Sequence, residues 1–346
     1  MNATFKPAPF LVSLRAARRA RLRAYGWRTA TLVALIAALW LLSLMVGETL
    51  YGPATVLRVL SGETVPGASF AVGDLRLPRA TAAVAVGLCF GAAGAVFQTL
   101  LRNQLASPDI IGISSGAAAG GVTAIVFAPA ASQALVSACA LGTALAVAAI
   151  IFGLSRRGGF SGTRLILIGI GMAAVLNSVV TFGLSKAAAW DVATATRWMT
   201  GSLNTMSWER AWPALLAATL AVPVLALLTG GLGVLRLGDA LATGLGVRVR
   251  AVRALAAVTA VVAIAVATAA TGPLAFVALM SGPIAARLFP RGATPVLPGA
   301  LVGAVIVLTA DLTGQYLFGT RYPAGVVTGV LGAPFLLFLL IRGARS

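Results

Sequence analysis

"RLPRATAAVAVGLCFGAAGAVFQTLLRN" occupies residues 76–103, and the fold turns on how it is read. No charged residue interrupts it between Arg79 and Arg102. About 20 apolar residues suffice to carry a helix through the roughly 30 Å of hydrocarbon in a bilayer, so this run predicts a membrane span. Its glycines predict where that span meets others, because small residues let helix backbones approach closely, which is where packing in lipid finds its energy.

Runs of this kind recur along the chain, as "GISSGAAAGGVTA" and "GIGMAAVLNS" illustrate. Of the 346 residues 59% are hydrophobic and only 10% charged, and the mean hydropathy is +0.98, which leaves no polar surface for a soluble domain. The expected fold is all-α, a polytopic transmembrane helical bundle of about ten spans near 29–47, 80–101, 110–127, 131–154, 164–183, 212–230, 252–271, 273–288, 297–312 and 323–341. The third and eighth are short and Gly-rich, as expected of broken or tilted helices buried among neighbours. Residues 1–28 read as a basic arm lying on anionic lipid, and 29–346 as a single membrane domain. The run from Thr29 to Gly47 lacks a small-residue cleavage site and is expected to stay as the first span.

The net charge of +18 does not point to nucleic acid, because the basic residues sit in the connections. With the N-terminus inside, Arg58, Arg76, Arg79, Lys186, Arg197, Arg210 and Arg321 fall outside. The remainder of the 26 Lys and Arg lie inside, including Lys6, Arg156, Arg157, Arg291 and Arg345. By the positive-inside rule both termini should be cytoplasmic. Cys89 and Cys139, both within apolar runs, read as small buried hydrophobes. Histidine is absent, which removes the commonest transition-metal ligand and near-neutral acid–base group. Acidic residues are nearly missing from the spans, Asp311 being the exception, and this fits an ion-coupled carrier poorly. Lys6 and Lys186 follow Phe5 and Ser185, so no phosphate-cradling Gly-Lys pair exists and the chain should hold no nucleotide of its own.

One polar piece, "LRLGDALATGLG" at 235–246, is too short to span. Asp239 reads as an N-cap, Gly246 as a left-handed stop, and Leu237, Leu241 and Leu245 as a ridge along one side. Such a helix either rests on lipid headgroups or docks in a partner's groove.

These stretches also resemble a known family. "RLPRATAAVAVGLCFGAAGAVFQTLLRNQLASPDIIGISSGAAAGG", "RWMTGSLNTMSW", "LRLGDALATGLGV", "GPLAFVALMSGPIAARL" and "ADLTGQYLFGTRYPAGVVTGVLGAPFLLFLLIR" resemble, in order, the motifs of FecCD-type permeases. These are the membrane subunits of ATP-binding-cassette (ABC) importers for ferric siderophores, haem and vitamin B12. The resemblance implies a non-enzymatic subunit of the cytoplasmic membrane moving a ferric siderophore, with vitamin B12 or haem as the alternative cargo. It implies an ATPase dimer, which would use the ATP, an external substrate-binding protein and a second permease. That second permease would be a sister chain, on the likeness of "LSKAAAWDVATATRWMTGSLNTMSW", or the same chain.

Carried over by position, Leu237, Gly238, Asp239, Leu241, Ala242, Leu245 and Gly246 would couple to the ATPase. Asn103 and Leu105, with Gly162 and Thr163, would form the cytoplasmic gate, although Gln104 stands where the family usually has Pro. Arg76 and Arg79, with Arg321, would meet acidic groups of the binding protein. Gln315 occupies the position of a further arginine in some relatives. Gly282, Pro283, Ile284, Ala285 and Ala286 replace the family's Pro-His-Ile-Ala-Arg, which should move a helix bend rather than abolish it. An ion-coupled carrier and a purely structural membrane subunit are the competing classes.

Overall fold

A computed structural model describes residues 9–109, 111–128, 131–155, 161–290 and 295–343. Residues 1–8 of the basic arm, and Lys6, Arg156, Arg157, Arg291 and Arg345 among the expected inner cations, fall outside them.

The described chain is helical. In order it forms α1 (Pro9–Met45), α2 (Pro53–Leu60), a π-helical lead-in (Ser69–Arg76), α3 (Leu77–Leu101), α4 (Ile113–Phe127), α5 (Gln133–Ser155), α6 (Gly162–Lys186), α7 (Ala189–Met199), α8 (Trp208–Leu227), α9 (Thr229–Leu235), α10 (Asp239–Gly244), α11 (Val249–Thr271), α12 (Val277–Leu288), α13 (Val296–Tyr316) and α14 (Ala324–Gly343). Eight of these are long and apolar enough to cross a membrane, and α4 and α12 are shorter apolar helices. Together they are the spans expected from the sequence. From Pro9 onward the arm and first span are one helix, with no break at residue 28.

Two of the helices start later than the reading because the backbone turns ahead of them. The third span begins at Ile113, because Gly112 turns the chain at φ +89. The eighth begins at Val277 rather than 273, because Gly272 (φ +76), Pro273 and Phe276 (φ +63) hold the preceding residues out of helix. Proline has no amide to continue the ladder, and a left-handed residue reverses its sense.

Helix α3 is the axis of the bundle and is buried along most of its length, whereas α1 lies at the periphery. Its partner is α13, and glycines sit at the crossing. A Cβ on Gly87 would stand 2.5 Å from the Ala304 Cα, one on Gly91 3.0 Å from the Ala300 Cα, and one on Gly303 2.9 Å from the Gly91 Cα. The spacing Gly87–Gly91 against Gly299–Gly303 is the small-xxx-small pattern by which helices pack in lipid.

On its other side α3 meets α12, where Pro283 lies inside the helix. Without a proline amide, the carbonyl four residues earlier loses its helical donor. That carbonyl belongs to Leu279, and the buried Gln98 of α3 donates Nε2–H to it at 3.0 Å. Gly282 leaves room for the Gln98 amide. The altered proline is therefore accommodated by a polar graft from the neighbouring helix, as membrane interiors require.

Gly91→Leu should abolish the close crossing, at a cost exceeding the ~1–3 kcal/mol of ordinary overpacking. Gly142→Ala, where no neighbouring element comes within 4 Å of the added carbon, should not destabilise the protein. Thermal unfolding of the two variants in detergent checks the contrast.

Candidate functional site

At one end of the bundle the chain leaves α9, turns at Gly238 (φ +114), forms the six-residue α10, turns again at Gly246 (φ +81) and enters α11. Glycine suits both turns because positive φ carries little penalty without a Cβ. Leu237, Leu241 and Leu245 are 61%, 61% and 65% exposed, so the expected ridge faces outward, while Ala242 is fully buried in the core cluster. Asp239 departs from the reading. Gly238 holds the N-cap position and no side chain caps the helix. The Asp239 carboxylate instead accepts from Arg253 Nη2 at 2.8 and 2.9 Å and from Arg102 Nη2 at 3.2 Å. Guanidinium partners make stronger, charge-assisted bonds than backbone amides and win the competition.

Arg102 ends α3 in a left-handed conformation and leads into the loop of Asn103 and Leu105. Asn103 Oδ1 accepts the Leu105 amide at 2.9 Å, an Asx turn that stiffens the loop without the missing proline at Gln104. The second expected gate element lies beside it: a Cβ on Gly162 would sit 3.0 Å from Leu101 Cδ2. Thr163 is exposed, and the turn is capped by Ser161 Oγ, which accepts the Arg164 amide at 3.4 Å. The fold thus brings together two stretches that lie about 60 residues apart in sequence.

Leu105 also lines a cavity of about 760 Å³, bounded further by Ser107, Asp109, Ser114, Phe276 and Leu340. Asp109 was not singled out in the sequence. Its carboxylate accepts from Ser107 Oγ at 3.1 Å and from Ser114 Oγ. Burial pushes its pKa above the ordinary carboxylate value, and the two hydroxyls only partly oppose that. The signal available was the Ser-Pro-Asp-x-x-Gly turn before a Ser-rich helix start, which reads as capping; the cavity it lines also takes Phe276 and Leu340, far away in sequence.

At the opposite end stand the three expected docking arginines, and each is engaged by its own chain. Arg76 donates to the carbonyls of Leu44, Met45 and Thr49 at 2.8–3.0 Å, closing the C-terminus of α1. Arg79 makes a two-point pair with the buried Asp311 at 2.7 and 2.9 Å, and its side chain is only 17% exposed. Gln315 donates to the same carboxylate at 2.9 Å, which is the task this residue performs here. Arg321 pairs with Glu48 and remains largely exposed. Of the three, Arg321 is the most exposed.

Cys89 and Cys139 are free. Among the described residues no cluster of His, Cys, Asp and Glu could hold a metal ion.

The model of the FecCD transport family matches residues 35–342. The chain is 38% identical to the achromobactin transport system permease protein CbrC of Dickeya dadantii, over 91% of each chain. It is 36% identical to the ferric enterobactin transport system permease protein FepG of Escherichia coli, covering 90% of this chain and 94% of that one. To the vitamin B12 import system permease protein BtuC of Salmonella arizonae it is 31% identical, covering 88% and 95%. A metal-chelate-type ABC transporter solved in an inward-facing conformation superimposes with a TM-score of 0.82 at 25% identity, covering 92% of this chain and all of that one.

Since folding favours the protonated form of Asp109, stability should fall as pH rises from about 3.9, the unfolded carboxyl value, through the raised folded value. Asp109→Asn should flatten that segment of the melting-temperature profile. Thermal unfolding in buffered detergent from pH 4 upward checks it.

Proposed function

Because the chain belongs to the FecCD transport family, we propose that it is one transmembrane subunit of an ABC importer that brings a ferric siderophore into the cell. The carrying observation is the exposed ridge of Leu237, Leu241 and Leu245 on a short helix at the end of the bundle where the gate loop also lies. A surface row of leucines on a polar connection suits insertion into a groove of a partner protein. That partner is the ATPase dimer, which binds and uses the ATP; this chain binds no cofactor and performs no catalysis.

The end bearing Asp239 faces the cytoplasm, as do both termini, in agreement with the arginine bias of the connections. The cavity beside Leu105 forms part of the cargo pathway. Its open side is completed by a second permease, a sister chain or a second copy. Asn103 and Leu105, with Gly162 and Thr163, close it on the cytoplasmic side. Walls of Ser, Leu and Phe without a metal-ligating cluster suit a chelate whose iron stays wrapped in its own ligand. Relatives that carry iron chelates by name reach 36% identity and the vitamin B12 permease 31%, so the corrinoid is the second reading.

At the other face Arg76 and Arg321 meet acidic groups of the external binding protein, and Arg79 keeps Asp311 neutralised. Long-range charge sets docking rate more than final affinity. Arg321→Glu should therefore slow association of the binding protein, with the difference shrinking as salt approaches 1 M, where screening length falls to about 3 Å. Surface-immobilised transporter and stopped binding kinetics read this directly.

Replacing both Leu237 and Leu241 by Asp should reduce ATPase copurification and chelate uptake roughly tenfold or more, the loss typical of removing central apolar anchors from an interface. Unaltered copurification and uptake would refute the coupling assignment.

A further inference from the structure

We propose that Arg102 is a positioning residue that carries the movement of the coupling segment to the cytoplasmic gate. The inference rests on the reading of residues 237–246 as the ATPase contact and of residues 103–105 as part of the gate.

The geometry begins with backbone. Arg102 has φ +50, a left-handed conformation that side chains other than Gly, Asn and Asp seldom adopt. It stops α3 and starts the gate loop in one step. From there its guanidinium reaches across to the coupling segment. Nη2 donates to the carbonyl of Leu235, the last residue of α9, at 2.9 Å and to Asp239 Oδ1, on the first residue of α10, at 3.2 Å. Both bonds join the start of the loop after α3 to the coupling segment.

Asp239 is itself anchored. Arg253 of α11, whose side chain is mostly sheltered, holds both carboxylate oxygens. The carboxylate is therefore a fixed point shared by α10 and α11, and Arg102 ties the end of α3 to it. On the far side Arg102 is bonded covalently to Asn103. The Asn103 amide donates to the Gln98 carbonyl at 3.1 Å, and its side chain accepts the Leu105 amide at 2.9 Å. That turn moves as one piece, and Leu105 lines the cavity. A shift of α10 either breaks the Arg102 bonds or draws the turn with it.

The chemistry favours arginine over lysine here. A guanidinium nitrogen carries two N–H donors at fixed angles and can hold a carbonyl and a carboxylate together, whereas an ammonium acts as a point charge on a flexible stem. The pair between Arg102 and Asp239 is half exposed, so it adds little to stability. Its removal should leave the fold and the leucine ridge in place, which separates transmission from assembly.

The test uses the complete importer, with its ATPase, second permease and binding protein, reconstituted in liposomes. ATP hydrolysis and ferric-siderophore uptake are measured on the same vesicles. Arg102→Gln is expected to copurify with the ATPase as the parent does and to retain hydrolysis within about twofold. Uptake per ATP should fall about fivefold or more, the lower range of coupling between sites. Arg102→Lys should recover part of that ratio. Asp239→Asn, which keeps the shape and weakens the pairs with Arg102 and Arg253, should lower the ratio in the same direction and supplies the answer if Arg102→Gln does not fold. An unchanged uptake-to-hydrolysis ratio in both variants overturns the proposal. So does loss of ATPase binding in Arg102→Gln, since Arg102 would then shape the docking surface. If replacing Leu237 and Leu241 by Asp leaves binding and uptake intact, the coupling assignment itself has failed; if that pair disrupts both while Arg102→Gln stays coupled, only the strut has.

Discussion

In hydrocarbon, lipid tails are as apolar as leucine, and burial of side chains no longer separates packed helices from lipid-solvated ones. What remains is close contact, and the crossing of α3 with α13 supplies it through Gly87, Gly91, Gly299 and Gly303. Four glycines bring two backbones together where any side chain would hold them apart. The rest of the molecule hangs on this contact, because α3 runs through the bundle and has an ion-paired arginine near each end. Arg79 at its start meets Asp311 across 232 residues of chain, and Arg102 at its end meets Asp239 across 137.

The electrostatics follow the same economy. Acidic residues number only eight against 26 Lys and Arg, and Glu48, Glu63, Asp239 and Asp311 all face arginines. Where such a pair is buried, as with Arg79 and Asp311, removing one member would strand a charge in a medium that cannot solvate it. Where it is exposed, as with Arg102 and Asp239, the contribution to stability is small and the bond is free to report position. One helix thus has a buried ion pair near its start and a half-exposed one just past its end.

The backbone irregularities share a physical logic. Pro283 breaks the ladder of α12, and Gln98 repairs it from the side. Gly272, Pro273 and Phe276 hold a stretch of irregular chain beside the cavity, and the Gly112 turn sets the start of α4, which contributes Ser114 to its wall. Non-helical backbone is tolerated at these depths only where protein or a cavity surrounds it. These particular departures from regular structure lie beside the cavity.

Span number and the short helix near residue 240 were legible in the amino-acid order, because both depend on local length and apolar content. The leucine ridge was legible for the same reason: three residues at helical spacing face one way whatever surrounds them. The role of Asp239 was not. Beside its own helix it reads as a cap, and only the fold delivers Arg253 and Arg102 to outbid the backbone amides. The graft from Gln98 to Leu279, the approach of Gly162 to Leu101 and the sequestering of Arg79 by Asp311 likewise required tertiary structure. Each joins residues distant in the chain, and no periodicity records which distant group will arrive. Sequence by itself determined how many helices cross and which short piece stays at the surface; tertiary structure decided which charges meet, since a pairing in space is a property of two segments and not of either one.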